Sequence, residues 1–189
     1  VLDPVDEGII WNYRLTRAIT AASCGAGLAL SGAVLQALLR NALADPYILG
    51  ISAGASTGAV AVTIAGLGAG MLSLSFGAFL GALLAFGLVA ALARAAGGGV
   101  GASGAAQIVL AGIAGSQLFN ALTAFIIAKS ANADQARGIM FWLMGNLSGV
   151  RWPDVWLAVP IALIGWIICR FHARALDAFA FGADAAAAL

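Results

Sequence analysis

The chain has 189 residues, 62% of them hydrophobic and 9% charged, with a net charge of +1 and a mean hydropathy of +1.01. A soluble domain is about half apolar and about a quarter charged, so one water-soluble core could not hide this much apolar surface. The near-neutral balance, with no Lys/Arg-rich run, excludes nucleic acid as a partner.

No Asp, Glu, Lys or Arg occurs within residues 18–39, 46–93 or 95–128, and a bilayer-spanning helix needs about 20 mainly apolar residues. The pattern predicts an all-α, polytopic membrane protein with the lipid bilayer as its surroundings. Its five spans fall at residues 15–39, 51–67, 72–93, 105–128 and 153–171. Ahead of them, residues 1–13 carry acids and a proline instead of the basic start and apolar core of a cleavable signal. With no initiating Met, the chain reads as a segment cut from a longer protein.

The second span is short and glycine-rich, and is expected to be tilted, broken or packed inside the bundle. The fifth is short as well, with Trp152, Trp156 and Trp166 suited to anchoring it at the interfaces. Loops are predicted at residues 41–46, 66–70, 97–104 and 130–137 from their Gly, Pro, Asn, Asp and Ser content. Residues 138–150 are apolar but too short to span, and fit either a short helix at the membrane surface or a buried connector. Five spans put Arg14, Arg17, Lys129, Arg137 and Arg151 on one side and Arg40, Arg94, Arg170 and Arg174 on the other. The positive-inside rule therefore gives no orientation.

Gly54-Ala-Ser-Thr-Gly58 matches the nucleophile-elbow pattern, which would make Ser56 the nucleophile of an intramembrane protease. Such an enzyme needs a base within reach of the serine, and the one histidine, His172, follows the last span. Residues 99–104 match G-x-G-x-x-G but follow a helix where a nucleotide fold has a strand, and no Walker motif occurs. Cys24 and Cys169 stand singly in apolar stretches, so neither a metal site nor a cofactor is expected. The 25 glycines include small-xxx-small stripes at Gly50, Gly54 and Gly58, at Gly77 with Gly81, and at Gly112 with Ser116. Such stripes let helices pack closely. Gln36, Gln107, Gln117 and Asn120 should face the interior or a pathway, because polar groups facing lipid are expensive.

A longer run is more specific. Arg14-Leu-Thr-Arg17, then residues 27–36 (GLALSGAVLQ) and 41–55 (NALADPYILGISAGA), resemble the FecCD family of importer permeases. Residues 140–145 (MFWLMG), Trp152 and residues 176–189 (LDAFAFGADAAAAL) resemble the same family's later signature. Two departures stand out: Thr16 and Ala42 occupy positions where the family carries proline, which removes a rigid φ constraint at each. A third is Ala183, where the family carries an acid.

The resemblance implies a permease subunit of an ATP-driven importer of ferric siderophore, haem or cobalamin-like chelates. It implies a ten-helix fold in the cytoplasmic membrane of a bacterium. Residues 1–189 would form one transmembrane segment, from the second to the sixth helix plus the start of the cytoplasmic coupling loop. The implied partners are a second permease copy, two cytoplasmic ATP-binding subunits that hydrolyse the ATP, and an extracytoplasmic substrate-binding protein; the permease itself is not an enzyme. Residues 41–46 and 170–189 would lie inside and Arg14 outside.

Carried over residue by residue, Leu176, Phe179, Phe181, Gly182, Asp184 and Leu189 would dock into the ATPase. Gln107, Ser116, Gln117 and Asn120 would line the substrate pathway on the family's fifth helix. Arg14 and Arg17 would meet acidic residues of the binding protein, or else snorkel to lipid headgroups as interfacial anchors. Beside this stand the intramembrane protease built on Ser56 and a non-transporting membrane scaffold of small-residue helices.

Overall fold

The apolar runs become helices whose ends are set by local caps. A computed structural model describes residues 3–65, 74–97 and 102–181, without the side chains of residues 102, 103, 180 and 181, and among these residues it contains no strand. Helix α1, Pro4–Ile9, starts where Asp3 accepts a hydrogen bond from the Val5 amide and Pro4 takes the first position. Asp6 and Glu7 complement the positive end of its dipole. A π turn over Ile10–Leu15 carries the chain without a break into α2, Thr16–Leu39. The first span thus begins at Pro4 rather than residue 15, because the acids that interrupt the apolar run form a good first turn.

Arg40 ends α2 in the left-handed conformation, φ 48° and ψ 42°, with the amides of Arg40 and Asn41 turned back onto the Ala37 and Gln36 carbonyls. Asp45 then caps a 3₁₀ turn at Pro46–Leu49, and Gly50, at φ 72°, turns the chain into α3, Ile51–Ile64. Next come α4, Leu74–Ala95, and α5, Ala102–Ser130. Helix α6 is Ala133–Leu143, α7 is Trp152–Phe171 and α8 is Ala173–Phe181.

Four of the predicted spans are long and apolar enough to cross a membrane, whereas α3 has 14 residues. At 1.5 Å per residue it reaches about 21 Å, short of the roughly 30 Å hydrocarbon core. The loop predicted at residues 130–137 shrinks to two residues between α5 and α6. The Asn132 side chain accepts from the Gln135 amide at 2.8 Å and the Gln135 side chain from the Asn132 amide at 3.1 Å, a capping box that starts α6 at once. Of the loop predicted at residues 97–104, the chain is already helical from Ala102. The turn predicted at residues 66–70 lies outside the described residues.

The chain divides into two compact units. In the unit of Asp45–Gly145, α3 lies against α4 and α5 around Val60, Ala85 and Val89. A Cβ on Gly58 would run into the Gly77 carbonyl, and one on Gly81 into the Gly54 carbonyl, so these glycines let the α3 and α4 backbones touch. In the other unit, formed by the residues up to Ala44 and from Asn146 onward, α2 packs against α7 and α8. There Thr16, Thr20, Leu35, Val155 and Ala178 are buried.

Candidate functional site

Helix α5 carries the four residues predicted to line a pathway, and its packing separates them. Ser116 is half-buried; its hydroxyl donates to the Gly112 carbonyl at 2.8 Å, and its amide would lie 3.2 Å from a Cβ placed on Gly50. A Cβ on Gly112 would collide with the Ile48 carbonyl, so this side of α5 is pressed onto the 3₁₀ turn. Gln117 and Asn120 are exposed. At 100° per residue they stand about 60° apart on one face, while Gln107 projects about 180° from Ser116. Gln107 is half-buried, and its Oε1 is enclosed without a hydrogen-bond donor. The structure therefore brings Gln117 and Asn120 together on an open face that also carries Ala114, Ala121 and Ala124 and the exposed Leu110 and Ile113, and separates Gln107 and Ser116 from it.

Helix α8 contains the described part of the predicted coupling segment. Leu176 and Phe179, one turn apart, are half-buried beside buried Ala178, and the helix packs against α2 and α7. The Phe181 side chain and Gly182, Asp184 and Leu189 lie outside the described residues. Of the two predicted docking arginines, Arg14 is exposed and Arg17 half-buried, with Arg17 Nη2 donating to the Ser148 carbonyl at 3.0 Å.

Ser56 sits in the middle of α3, and its hydroxyl donates to the Ser52 carbonyl at 3.0 Å. A nucleophile elbow needs a strained strand-to-helix turn that exposes the hydroxyl, and a regular helix supplies neither. His172 Nδ1 is itself 3.0 Å from the Ile168 carbonyl, a local helix-end contact. Among the described residues no group of three or more His, Cys, Asp or Glu side chains gathers. A half-open, mainly apolar cavity of about 250 Å³ lies between α3 and α6, walled by Val60, Thr63, Ile139 and Trp142 among others. Ligand pockets usually measure about 300–1,000 Å³ and converge several polar groups, so this one is a packing gap.

Two polar features escape the sequence reading. Thr57 and Thr123 place their hydroxyl oxygens 2.7 Å apart between α3 and α5, and Thr57 Oγ1 is 3.0 Å from the Phe119 carbonyl. A threonine in an apolar run gives no sign of this, because the same hydroxyl can bond back within its own helix. Thr16 is fully buried and donates to the carbonyl of Asn12 at 3.0 Å or of Tyr13 at 3.2 Å, which serves the acceptors that the π turn displaces. The signal for it is its place in the sequence, where the related motif carries a proline.

Comparison with known proteins extends these local features to the whole chain. Residues 2–189 match the model of the FecCD transport family. Among curated relatives, the cobalamin import system permease protein BtuC of Halobacterium salinarum is 38% identical over 93% of this chain and 46% of its own length. The vitamin B12 import system permease protein BtuC of Escherichia coli O6:H1 is 36% identical over 95% of this chain and 53% of its own. The chain thus spans about half the length of these relatives. A solved structure described as an inward-facing conformation of a metal-chelate type ABC transporter superposes with a TM-score of 0.81 at 29% identity, covering 100% of this chain and 58% of that one.

Proposed function

From the membership of this chain in the FecCD transport family, matched over residues 2–189, we propose that it is the N-terminal half of a permease subunit in an ATP-driven importer of metal chelates. The observation that carries this reading is the continuity of the match. Family pattern, curated relatives named for cobalamin import, and a metal-chelate transporter of the same helix arrangement all run the length of the chain. The substrate is a bulky chelate of the ferric siderophore, haem or cobalamin type, and a corrinoid is the first to test.

The permease works in the cytoplasmic membrane as one of two copies, with ATP hydrolysed on separate subunits. Residues 41–46 and 170–189 face the ATPase side and Arg14 the opposite side. Gln117 and Asn120 line the passage, with Gln107 and Ser116 on the same helix supporting its wall. An exposed face on which two amides stand among alanines, with Leu110 and Ile113 beside them, suits this task, since it offers a chelate a few weak polar contacts from which it can be released. Leu176, Phe179, Phe181, Gly182, Asp184 and Leu189 belong to the segment that docks in the ATPase. A rigid helix pressed into a closing cleft can pass that movement on, because packed interfaces switch between discrete arrangements. Arg14 and Arg17 belong to the surface that receives the substrate-binding protein.

The test is reconstitution of the full-length subunit with its ATPase and binding protein in proteoliposomes. ATP-dependent uptake of labelled cobalamin or ferric siderophore that requires the binding protein is the expected result. A full-length subunit that recruits no ATPase chain would overturn the reading and favour a membrane scaffold.

A further inference from the structure

In the unit that contains α2 and α7, the two helices begin at the same end, and a group of cationic and aromatic side chains joins them there. The Ser148 carbonyl receives two guanidinium groups, Arg17 Nη2 at 3.0 Å and Arg151 Nη1 at 3.4 Å. A carbonyl oxygen has two lone pairs and can accept both. Arg151 also donates to the Val150 carbonyl at 3.0 Å, and its guanidinium carbon lies 4.5 Å from the centre of the Tyr13 ring. The ring face takes up part of the positive charge that two converging arginines would otherwise turn on each other.

Next to this pair, the Trp11 and Trp152 rings stand 5.4 Å apart. Tyr13 and Trp11 belong to the π turn, and Thr16 holds that turn by its hydroxyl. The connector is also folded on itself, since the Ser148 amide and hydroxyl both donate to Asn146 Oδ1. Arg17 is half-buried and its Nε is fully enclosed without an acceptor, which leaves its head group committed inward. Arg14, three residues earlier, is exposed.

We propose that Arg17 and Arg151 are positioning residues that clamp the Ser148 carbonyl and so hold the connector of residues 146–150 against the first turn of α2, while Arg14 is the arginine that meets the binding protein. The role of Arg14 rests on the docking reading above; the clamp does not. A docking arginine needs its donors free, and here one of the two has spent its reach on a carbonyl of its own chain. The surface offered beside Arg14 is then the connector, kept at one height by the pair of arginines.

The experiment uses the full-length subunit with its ATPase in lipid nanodiscs, in a cysteine-free background that replaces Cys24 and Cys169. Gly149→Cys supplies the probe, because nothing lies within 4 Å of a Cβ at that position. Its reaction rate with a charged thiol reagent is measured together with binding-protein association. Arg17→Gln and Arg151→Gln should each raise the labelling rate about tenfold, the factor expected when one charge-assisted hydrogen bond is lost. Arg14→Gln should leave that rate unchanged and weaken association. Arg17→Lys, which keeps the charge and N–H donors but not the planar fork, should restore part of the protection. Labelling in both Arg17→Gln and Arg151→Gln equal to the parent overturns the clamp. Should Arg17→Gln fail to assemble, Arg151→Gln at its exposed site carries the same test. Raised labelling in the clamp variants with normal association in Arg14→Gln would uphold the clamp and remove the docking role, so the two failures are told apart.

Discussion

Glycines where α3 meets α4 and glycines on α2 and α7 look alike in the sequence and do opposite things in the structure, while Gly87, on α4 away from that contact, has open space like the second kind. Gly54, Gly58, Gly77 and Gly81 sit where any Cβ would strike the facing backbone or side chain, so α3 and α4 meet main chain to main chain. Gly25, Gly27 and Gly32 on α2 and Gly165 on α7 have open space where a Cβ would stand. The same contrast holds for burial: α3 buries six of its 14 residues, whereas α7 buries Val155 and leaves Trp156, Leu163, Ile164 and Trp166 exposed. A membrane chain thus uses glycine both as a packing surface and as a mere absence of bulk. Only the partner across the interface tells the two apart.

The largest effect should come from filling the first kind of glycine. Gly81→Ala puts a methyl onto the Gly54 carbonyl and should destabilise the folded subunit by about 1–3 kcal/mol, as other overpacked cores do. Gly25→Ala should be neutral or stabilise by up to about 1 kcal/mol through the lost backbone freedom of glycine. Thermal unfolding in one detergent, both variants side by side, checks the difference. Equal losses at the two positions would mean that α2 is also packed backbone to backbone in the assembled subunit, and the comparison would break.

The next effect sharpens the contrast on the side of α8. Leu176→Ala with Phe179→Ala removes two half-buried side chains from the proposed coupling segment. Uptake by the full transporter should fall about tenfold or more, as loss of about 1.4 kcal/mol of interface free energy implies. Membrane insertion should be unaffected. Pull-down of the ATPase and uptake in proteoliposomes give the reading; unchanged values in both would detach α8 from coupling.

A smaller effect belongs to the threonine pair between α3 and α5. Thr57→Val removes the hydroxyl that meets Thr123 and should cost about 0.6 kcal/mol, the average for hydrogen bonds between membrane helices, and at most about 1.7 kcal/mol. The double variant Thr57→Val with Thr123→Val should cost little more than the single one, because each hydroxyl has then lost the same partner. Additive losses in the unfolding curves would show that the two act separately.

The helices were legible because charge-free runs of this length leave the backbone no other way to satisfy its hydrogen bonds in lipid. Within the described residues all five predicted spans are helical, the second as far as Ile64. What the apolar pattern missed were beginnings set by polar chemistry: Asp3 with Pro4 starts the first helix early, and Asn132 with Gln135 shortens a predicted loop to two residues. The site was less legible. Gln107, Ser116, Gln117 and Asn120 share a helix, but their angular spread and the approach of Ile48 to Gly112 could not be read without the neighbouring turn. Thr16 shows the other limit. Its departure from a proline-bearing motif was visible, but its use, a hydroxyl serving the carbonyls of a π turn, depended on a local geometry that the sequence does not announce.

The smallest effect concerns the end of the molecule where α2 and α7 begin. Arg14 is exposed there beside the Arg17 and Arg151 pair, so its contact with a partner would be made in water at the rim of an interface. Exposed ion pairs contribute about 0–1 kcal/mol, which makes any single contact weak and its main influence one on encounter and orientation. Arg14→Glu should therefore slow binding-protein association severalfold at low salt and change dissociation little. The difference from the parent should shrink as ionic strength rises and the Debye length falls to about 8 Å near 0.15 M. Replacing an acidic residue on the binding protein by Lys should recover part of the lost rate in the Arg14→Glu subunit and slow the parent. Stopped-flow association across a salt series checks each of these. If association at low salt is the same for the parent and Arg14→Glu, the exposed arginine is a lipid-headgroup anchor, and recognition at this end falls to the connector that Arg17 and Arg151 hold.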